Sequence, residues 1–175
     1  MKLRDTAAGD IAAITAIYGT EVRDGTASFE LDPPDAVEME RRWRDLAGRS
    51  FPHIIAEDEG GIVGYAYAGP YRPRPAYRFT VENSVYVNAR ARRGGVGRLL
   101  LAELIRRCEA GGFRQMIAVI GGGSEQPASV GMHRALGFRT IGTIEAAGFK
   151  HGRWLDTLLM QRTLGPGRDA LPEES

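Results

Sequence analysis

The feature that most constrains this chain is a glycine run, Gly94-Gly95-Val96-Gly97, between a strand-like segment and a helix-like segment. The preceding stretch, Arg78 to Val87, is rich in β-branched and aromatic residues, and the following one repeats leucines at helical spacing. A glycine run at such a junction lets the backbone approach a ligand closely, and free N–H groups at the helix start attract phosphate oxygens. A plain glycine-rich turn is the alternative, and the loop alone does not separate the two.

Several function classes are excluded or disfavoured by the sequence. The glycine run lacks the Gly-Lys-Ser/Thr of a nucleotide P-loop and the third glycine of a dinucleotide fingerprint. A formal net charge of +1 disfavours nucleic-acid binding by bulk electrostatics. No apolar stretch approaches the roughly 20 residues of a membrane span, and the charged N-terminus is not that of a secretory signal. A cytoplasmic protein is expected, with neither nucleic acid nor membrane as its partner.

Cysteine and histidine usage predicts neither a disulfide nor a metal site. Cys108 is the single cysteine, and His53, His133 and His151 are too scattered for metal-ligand spacing. Cys108 also falls in the apolar stripe of a predicted helix, which is typical of a buried structural thiol.

Apolar periodicity and turn signals predict one mixed α/β domain over residues 1–164. Helices are expected after Asp10, after Pro34, at the glycine run and at Pro127. Strands are expected at 1–6, 53–57, 62–68, 78–87, 115–120, 138–145 and 154–163, with a loop at 147–153. The tail, 165–175, is rich in proline, glycine and charge, so it is predicted to be disordered.

The pattern Arg92-x-x-Gly95-x-Gly97 after Val85-Tyr86-Val87 resembles the pyrophosphate loop of the GNAT acetyltransferase superfamily. The short helix ending in Leu136-Gly137-Phe138 is a second feature of that superfamily. The resemblance implies a GNAT fold of the α/β (α+β) class, with a central mixed, mostly antiparallel, twisted sheet flanked by about four helices. It also implies acetyl-CoA as co-substrate, a small-molecule amine as acceptor, and a homodimer.

Further stretches are similar to the phosphinothricin and methionine sulfoximine N-acetyltransferase branch, a group tied to antibiotic and herbicide resistance. They are Thr26-x-x-Phe29-Glu30, Arg78-x-Thr80-Val81-Glu82, Ala118-Val119-Ile120-Gly121 and Ala147-Gly148-Phe149-Lys150-His151-Gly152. The similarity runs from about residue 3 to residue 163. It implies direct acetyl transfer in a ternary complex, without an acetyl-enzyme intermediate.

The resemblance assigns cofactor contacts to the strand before the glycine run, to the run itself and to the short helix. Gln126 stands where the family typically has asparagine, in a stretch with one extra residue, so Ser129 is an alternative contact. The full set is Val85, Tyr86, Val87, Arg92, Arg93, Gly94, Gly95, Val96, Gly97, Arg98, Gln126 and Ser129.

Glu82 is the candidate general base. An amine is mostly protonated near neutral pH and must lose a proton before it attacks a thioester. Glu82 is a lone carboxylate within a strand, between Val81 and Val85. The alternative is an edge-strand glutamate that pairs with Arg78 on the same face; the family pattern favours the base.

His133 is the candidate proton donor for the leaving thiolate. It occupies the position, four residues before the Gly-Phe pair, where many superfamily members have a tyrosine. A histidine with its pKa near 6.5 can donate a proton at physiological pH. A half-buried helix histidine with one backbone hydrogen bond is the alternative, and both remain open.

The substrate set combines arginines with residues implied by the resemblance. Guanidinium groups recognise carboxylates and phosphinates bidentately, so arginines near the catalytic strand favour an anionic amino-acid-like substrate. A solvated basic loop is the alternative. The expected residues are Phe29, Glu30, Arg72, Arg74, Tyr77, Arg78, Thr80 and Lys150. Competing functions are an acetyltransferase of the same fold acting on a protein N-terminus or cationic amine, and a non-catalytic acyl-CoA sensor.

Overall fold

The computed structural model describes residues 1–172, which form one seven-stranded sheet with helices on both faces. The strands are β1 (Lys2–Asp5), β2 (His53–Asp58), β3 (Gly61–Pro70), β4 (Thr80–Val87), β5 (Gln115–Gly121), β6 (Arg139–Lys150) and β7 (Arg153–Thr163). The helices are α1 (Ile11–Asp24), α2 (Ala36–Gly48), α3 (Val96–Ala110) and α4 (Pro127–Ala135). The strand order is β1-β2-β3-β4-β5-β7-β6, and β4 with β5 is the parallel pair in an otherwise antiparallel sheet. The predicted fold is confirmed.

The two faces of the sheet carry separate apolar clusters because side chains alternate along each strand. On one face, Val81 packs with Leu100 and Leu104 of α3 in the larger cluster. On the other face, Tyr65 packs with Ile14 and Val22 of α1. Burying an aliphatic side chain of this kind stabilises the fold by roughly 1.5–3 kcal/mol. Helices on both faces therefore hold the central strands rigidly.

The segment that joins α1 to α2, residues 25–34, is called here the α1–α2 loop. It ends at a helix start of the expected kind, where Asp35 Oδ1 accepts a hydrogen bond from Glu38 N at 2.8 Å. The loop crosses the end of β5 at close range. A Cβ placed on Gly121 would lie 2.6 Å from the Thr26 carbonyl oxygen, so only glycine allows this approach.

The parallel strands β4 and β5 separate before they end. Their pairing runs from Thr80↔Gln115 to Asn83↔Ala118. Beyond that point β4 continues to Val87 and β5 continues to Gly121, but the two are no longer neighbours in a ladder. The result is a cleft between the carboxyl ends of two central strands.

The hairpin of β6 and β7 is longer than predicted, and the expected loop at 147–153 is wrong. β6 continues to Lys150, and two residues with positive φ, His151 (51°) and Gly152 (73°), make the turn. Positive φ at both central positions matches the right-handed twist of the flanking strands. An irregularity between Ile144 and Gly148 interrupts the pairing, which concealed the strand pattern.

The chain after β7 begins with turns. Leu164 is buried, and Gly167 N donates to its carbonyl oxygen at 3.0 Å. Residues 173–175 of the predicted disordered tail lie outside the described residues, so the disorder of the tail remains a prediction. None of the helices within residues 1–172 has the length and apolar character needed to cross a membrane.

Candidate active site

The cleft between β4 and β5 gathers residues from four distant parts of the sequence. Its lining comes from the α1–α2 loop, both central strands and α4: Ala27, Asn83, Ser84, Val85, Tyr86, Ala118, Val119, Ile120, Ser129 and His133. Because β4 has no pairing partner on this side after Asn83, its main chain can bind a ligand there. Val85, Tyr86 and Val87, predicted as cofactor contacts, all belong to this unpaired stretch.

The glycine run starts α3 beside the unpaired stretch of β4, at the end of the cleft called here its mouth: a Cβ on Gly97 would lie 3.5 Å from Val87 Cγ2 and 3.9 Å from Val85 Cγ1. Gly95 is the N-cap with φ of 79°, no side chain caps the helix, and a Cβ on Gly95 would meet nothing within 4 Å. The first-turn N–H groups of a helix have no partner within it, so those of Val96, Gly97 and Arg98 can bind an anion. Gly97 has a second purpose, because a Cβ there would lie 3.0 Å from Met132 Sδ. The loop geometry therefore suits a phosphate group.

The basic residues around the run differ in their contacts. Arg93 adopts φ of 65° and is exposed, as are Gly94 and Arg98. Arg92 reaches back across the cleft mouth, where its Nη2 lies 3.4 Å from Glu21 Oε2 and its Nε lies 3.5 Å from the Val87 carbonyl oxygen. Arg92 and Arg93 thus precede α3 closely, and Arg98 lies in its first turn.

Glu82 lies on the α1 and α2 face of β4. The directly opposite position on β3 is Gly69, which leaves room beside the carboxylate, and the diagonal neighbour is Tyr67. Burial raises the pKa of Glu82, while the positive charge of Arg72 acts in the opposite direction. A carboxyl with a raised pKa holds a transferred proton more readily, as a general base requires.

The alternative reading of Glu82 as an edge-strand residue paired with Arg78 is wrong. β4 lies in the interior of the sheet between β3 and β5, and it begins at Thr80, so Arg78 precedes the strand. Arg78 instead stacks on the Phe79 ring at 4.6 Å. Local sequence does not show whether a strand lies at the edge or in the interior of a sheet, because that depends on which distant strands pair with it.

His133 has both ring nitrogens occupied. Nδ1 is 2.8 Å from the Ser129 carbonyl oxygen, which can only accept, so Nδ1 carries the proton. Nε2 then accepts from Asn83 Nδ2 at 2.9 Å. Burial lowers the pKa of His133, which favours the neutral ring. This arrangement is that of a helix histidine held by a backbone hydrogen bond.

Two predicted ligand contacts have protein partners. Gln126 Nε2 donates to Thr26 Oγ1 at 2.9 Å. Lys150 is buried, and its Nζ donates to the Ser28 carbonyl oxygen at 2.7 Å. Both residues hold the α1–α2 loop, whereas Ser129, the alternative cofactor contact, lines the cleft.

The remaining substrate candidates are only partly brought together. Arg72 is the predicted arginine whose charge acts on Glu82, and it stacks on the Tyr71 ring at 5.2 Å. Arg74 and Tyr77 are exposed on the segment before β4, and Thr80 lies on the same face of β4 as Glu82. Phe29 covers Gly148, and Glu30 pairs with Arg42 at 2.6 Å.

Asn83 is a cleft residue that the sequence analysis did not select. Asparagine is depleted in strands, so its position inside a predicted strand could have indicated a functional role. Its Oδ1 is buried without a partner among the described residues, on the cleft side of β4. Cys108 is a fully buried residue of α3, and burial raises the pKa of its thiol to about 12. A thiol so protonated and enclosed cannot accept an acetyl group.

Comparison with known proteins gives consistent matches along the chain. The family model described as "Acetyltransferase (GNAT) family" matches residues 14–138. A phosphinothricin N-acetyltransferase of Alcaligenes faecalis is 53% identical over 94% of this chain and 83% of its own length. An L-methionine sulfoximine/L-methionine sulfone acetyltransferase of Pseudomonas aeruginosa is 40% identical over 96% of this chain and 97% of its own length.

A solved structure gives the corresponding match in three dimensions. It is a GNAT superfamily phosphinothricin acetyltransferase from Sinorhizobium meliloti in complex with AcCoA. It shares 51% identity with this chain at a TM-score of 0.96, covering 99% of this chain and 94% of that one.

Proposed function

Because this chain belongs to the GNAT acetyltransferase family, we propose that it transfers the acetyl group of acetyl-CoA directly to the amine of a small amino acid. The substrate is of the phosphinothricin or methionine sulfoximine type, as the names of the relatives state for those proteins. The observation that carries the proposal is the separation of β4 from β5, with Glu82 at the last paired residues and the glycine run at the mouth.

The residues of the cleft fit acetyl-CoA. A Cβ on Gly95 would meet nothing within 4 Å, so a ligand has room to approach the backbone there, and the edge of β4 from Ser84 to Val87 is not paired with β5. When bound, the cofactor supplies an activated acetyl thioester. First-turn N–H groups of α3, with Arg92, Arg93 and Arg98, bind its phosphates. Main-chain groups of β4 hold the chain that leads to the thioester.

Glu82 removes a proton from the ammonium group of the substrate, directly or through one water, so that the amine can attack. The oxyanion that forms is stabilised by main-chain N–H groups of β4 beyond Asn83, which need no rearrangement. When it collapses, the carbon–sulfur bond breaks and coenzyme A leaves as the thiolate, which is neutralised by the second proton that the attacking nitrogen gives up. His133 keeps Asn83 in place at the cleft. With Cys108 buried, transfer proceeds in a ternary complex.

Release of free coenzyme A thiol over a panel of amines tests the function. The panel contains phosphinothricin, methionine sulfoximine, methionine sulfone, spermidine and a peptide with a free N-terminus. We expect turnover with the amino acids, and turnover confined to the peptide or spermidine would overturn the proposed substrate class. Expression in a phosphinothricin-sensitive bacterium should raise tolerance if the reaction occurs in the cytoplasm, and an unchanged tolerance would contradict that location and role.

Selectivity for an anionic group should depend mainly on Arg72. Both Arg72 and Arg74 are exposed, but Arg72 is the one whose charge acts on Glu82. A charge-assisted pair contributes about 1.5–3 kcal/mol, so Arg72→Ala should lower kcat/KM for phosphinothricin roughly 10- to 100-fold. Arg74→Ala, two residues away, is the matched control and should cost less. Equal losses on phosphinothricin and spermidine would mean that Arg72 does not recognise the substrate's charge.

The proposal extends to a homodimer formed through β6. This strand is at the end of the sheet, and no strand within residues 1–172 covers its outer edge. Exposed apolar side chains accompany that edge: Ile141, Ile144, Phe149 and Trp154. A long uncovered edge with apolar neighbours favours pairing with a second copy. Light scattering should give twice the monomer mass, and Ile144→Lys should restore the monomer mass; a monomeric parent would contradict the dimer.

A further inference from the structure

The carboxylate of Glu21 lies between the α1–α2 loop and Arg92, which directly precedes the glycine run. Glu21, on the last turns of α1, accepts a hydrogen bond from Ala27 N on its Oε1 at 3.2 Å. Its Oε2 lies 3.4 Å from Nη2 of Arg92, beside the glycine run. The two oxygens of one side chain therefore contact two segments that are 65 residues apart in sequence, Ala27 and Arg92.

The surroundings show that Glu21 is not an ordinary surface glutamate. Its side chain is only 16% exposed, whereas that of Arg92 is 56% exposed. Gly25 provides the space it occupies, because a Cβ there would lie 1.8 Å from Glu21 Oε1. The carbonyl of Gly25 is held in turn by His151 Nε2 at 3.2 Å. Oε1 of Glu21 is thus enclosed by residues 25–27, whereas Oε2 faces the exposed Arg92.

The segment that Glu21 holds is part of the cleft wall. Ala27 lines the cleft between β4 and β5, and the next residue, Ser28, accepts from the buried Lys150. Lys150 feels the negative charge of Glu21 as well. A shift of Ala27 would therefore move the wall beside the amine.

The contacts of Arg92 are long, 3.4 Å to Glu21 and 3.5 Å to the Val87 carbonyl. A pair with contacts this long stabilises little, and the exposed guanidinium of Arg92 exchanges readily between partners. A phosphate oxygen at the glycine run offers the guanidinium a stronger, bidentate partner. Once Arg92 turns to it, the full charge of Glu21 acts on Ala27 N and on Lys150.

Resting on the proposed function, we propose that Glu21 is a positioning residue that couples acetyl-CoA binding to amine binding. Without the cofactor it is shared between Arg92 and Ala27. With phosphate bound at the glycine run it serves the α1–α2 loop alone and fixes the cleft wall for the amine. The two effects have opposite signs, because the Arg92 contact opposes the cofactor and the Ala27 contact favours the amine.

Glu21→Gln separates these effects, because the amide keeps an acceptor for Ala27 N but loses the charge. Calorimetry should show acetyl-CoA binding about 2- to 5-fold tighter, the range of a weak ion pair. At saturating acetyl-CoA, the KM for the amine should rise about 3- to 10-fold with kcat within about 2-fold, since a charge-assisted hydrogen bond is replaced by a neutral one. Asp24→Asn removes the same charge one turn along α1 and should do neither.

The double variant of Glu21 and Arg92 tests whether the two residues act on acetyl-CoA binding through each other. In an Arg92→Gln background, Glu21→Gln should no longer tighten acetyl-CoA binding, because the competing pair is already absent. Weaker binding of both ligands with a lower Tm, no change in either, or the same changes in Asp24→Asn would each overturn the coupling. A parent protein that acetylates no amine would instead refute the proposed function, while the calorimetric comparison would still test the contact between Glu21 and Arg92.

Discussion

Glu82→Gln is expected to lower kcat by about 10²- to 10⁴-fold while acetyl-CoA binding persists, the range for loss of a general base. The amide has nearly the same shape as the carboxylate, so the space opposite Gly69 and the contacts of β4 are kept. What is lost is the group that accepts the ammonium proton. Single-turnover kinetics and calorimetry on the same preparation measure the two quantities separately.

The pH profile supplies the control for this prediction. Only the deprotonated carboxylate can act as a base, and burial raises the pKa of Glu82, so activity of the parent should fall as pH drops through that raised pKa. The Glu82→Gln enzyme should lack this acidic limb. Glu59→Gln makes the same chemical change at an exposed turn and should leave the profile unaltered. Near-normal kcat for Glu82→Gln across pH 6–9 would refute the role.

Gly95→Val should weaken acetyl-CoA binding about 10- to 100-fold, the loss expected when one charge-assisted hydrogen bond to phosphate is blocked. Gly95 has φ of 79°, which a β-branched residue adopts only with strain, and its missing Cβ faces open space where phosphate would approach. Calorimetry with acetyl-CoA measures the loss directly.

Gly112→Val is the matched control for backbone strain. Gly112 has φ of 81°, also meets nothing within 4 Å, and lies just beyond the opposite end of α3. Both variants should lose stability, but only Gly95→Val should lose acetyl-CoA. Unchanged acetyl-CoA binding in a folded Gly95→Val protein would contradict the proposal that this loop binds the phosphates of acetyl-CoA.

Local sequence was sufficient to predict most helices and strands, because each has a clear apolar periodicity or a clear start or end signal. α2 starts at the Asp35 cap after two prolines, and α3 starts at the glycine run, as predicted. β6 was cut short because its pairing is irregular near Gly148 and its turn uses His151, a non-glycine residue with positive φ. Such irregularities are stabilised by the partner strand, which local sequence does not reveal.

Contacts across long sequence separations could not be predicted. Glu82 could be proposed as the base because a lone carboxylate inside a strand needs an explanation and the family pattern favours that role. Gln126 and Lys150 were assigned to ligands, but they hold Thr26 and Ser28, more than 90 residues away. A polar side chain shows in sequence that it needs a partner, but which partner it meets depends on how the loops pack over the sheet.

The short β4–β5 ladder has a consequence for how the sheet assembles. β1 to β4 pair in an antiparallel series, and β5 with β7 and β6 forms a second antiparallel unit, each with its own hydrogen-bond network. Within residues 1–172, the ladder between the two groups consists of the pairs from Thr80↔Gln115 to Asn83↔Ala118, and the chain connects β4 to β5 through α3. Parallel pairing across such a connection closes late in folding and opens early, because its loop entropy is large and its bonds are few. A molecule bound between the carboxyl ends of these strands therefore links the two antiparallel groups of strands and stabilises the folded sheet.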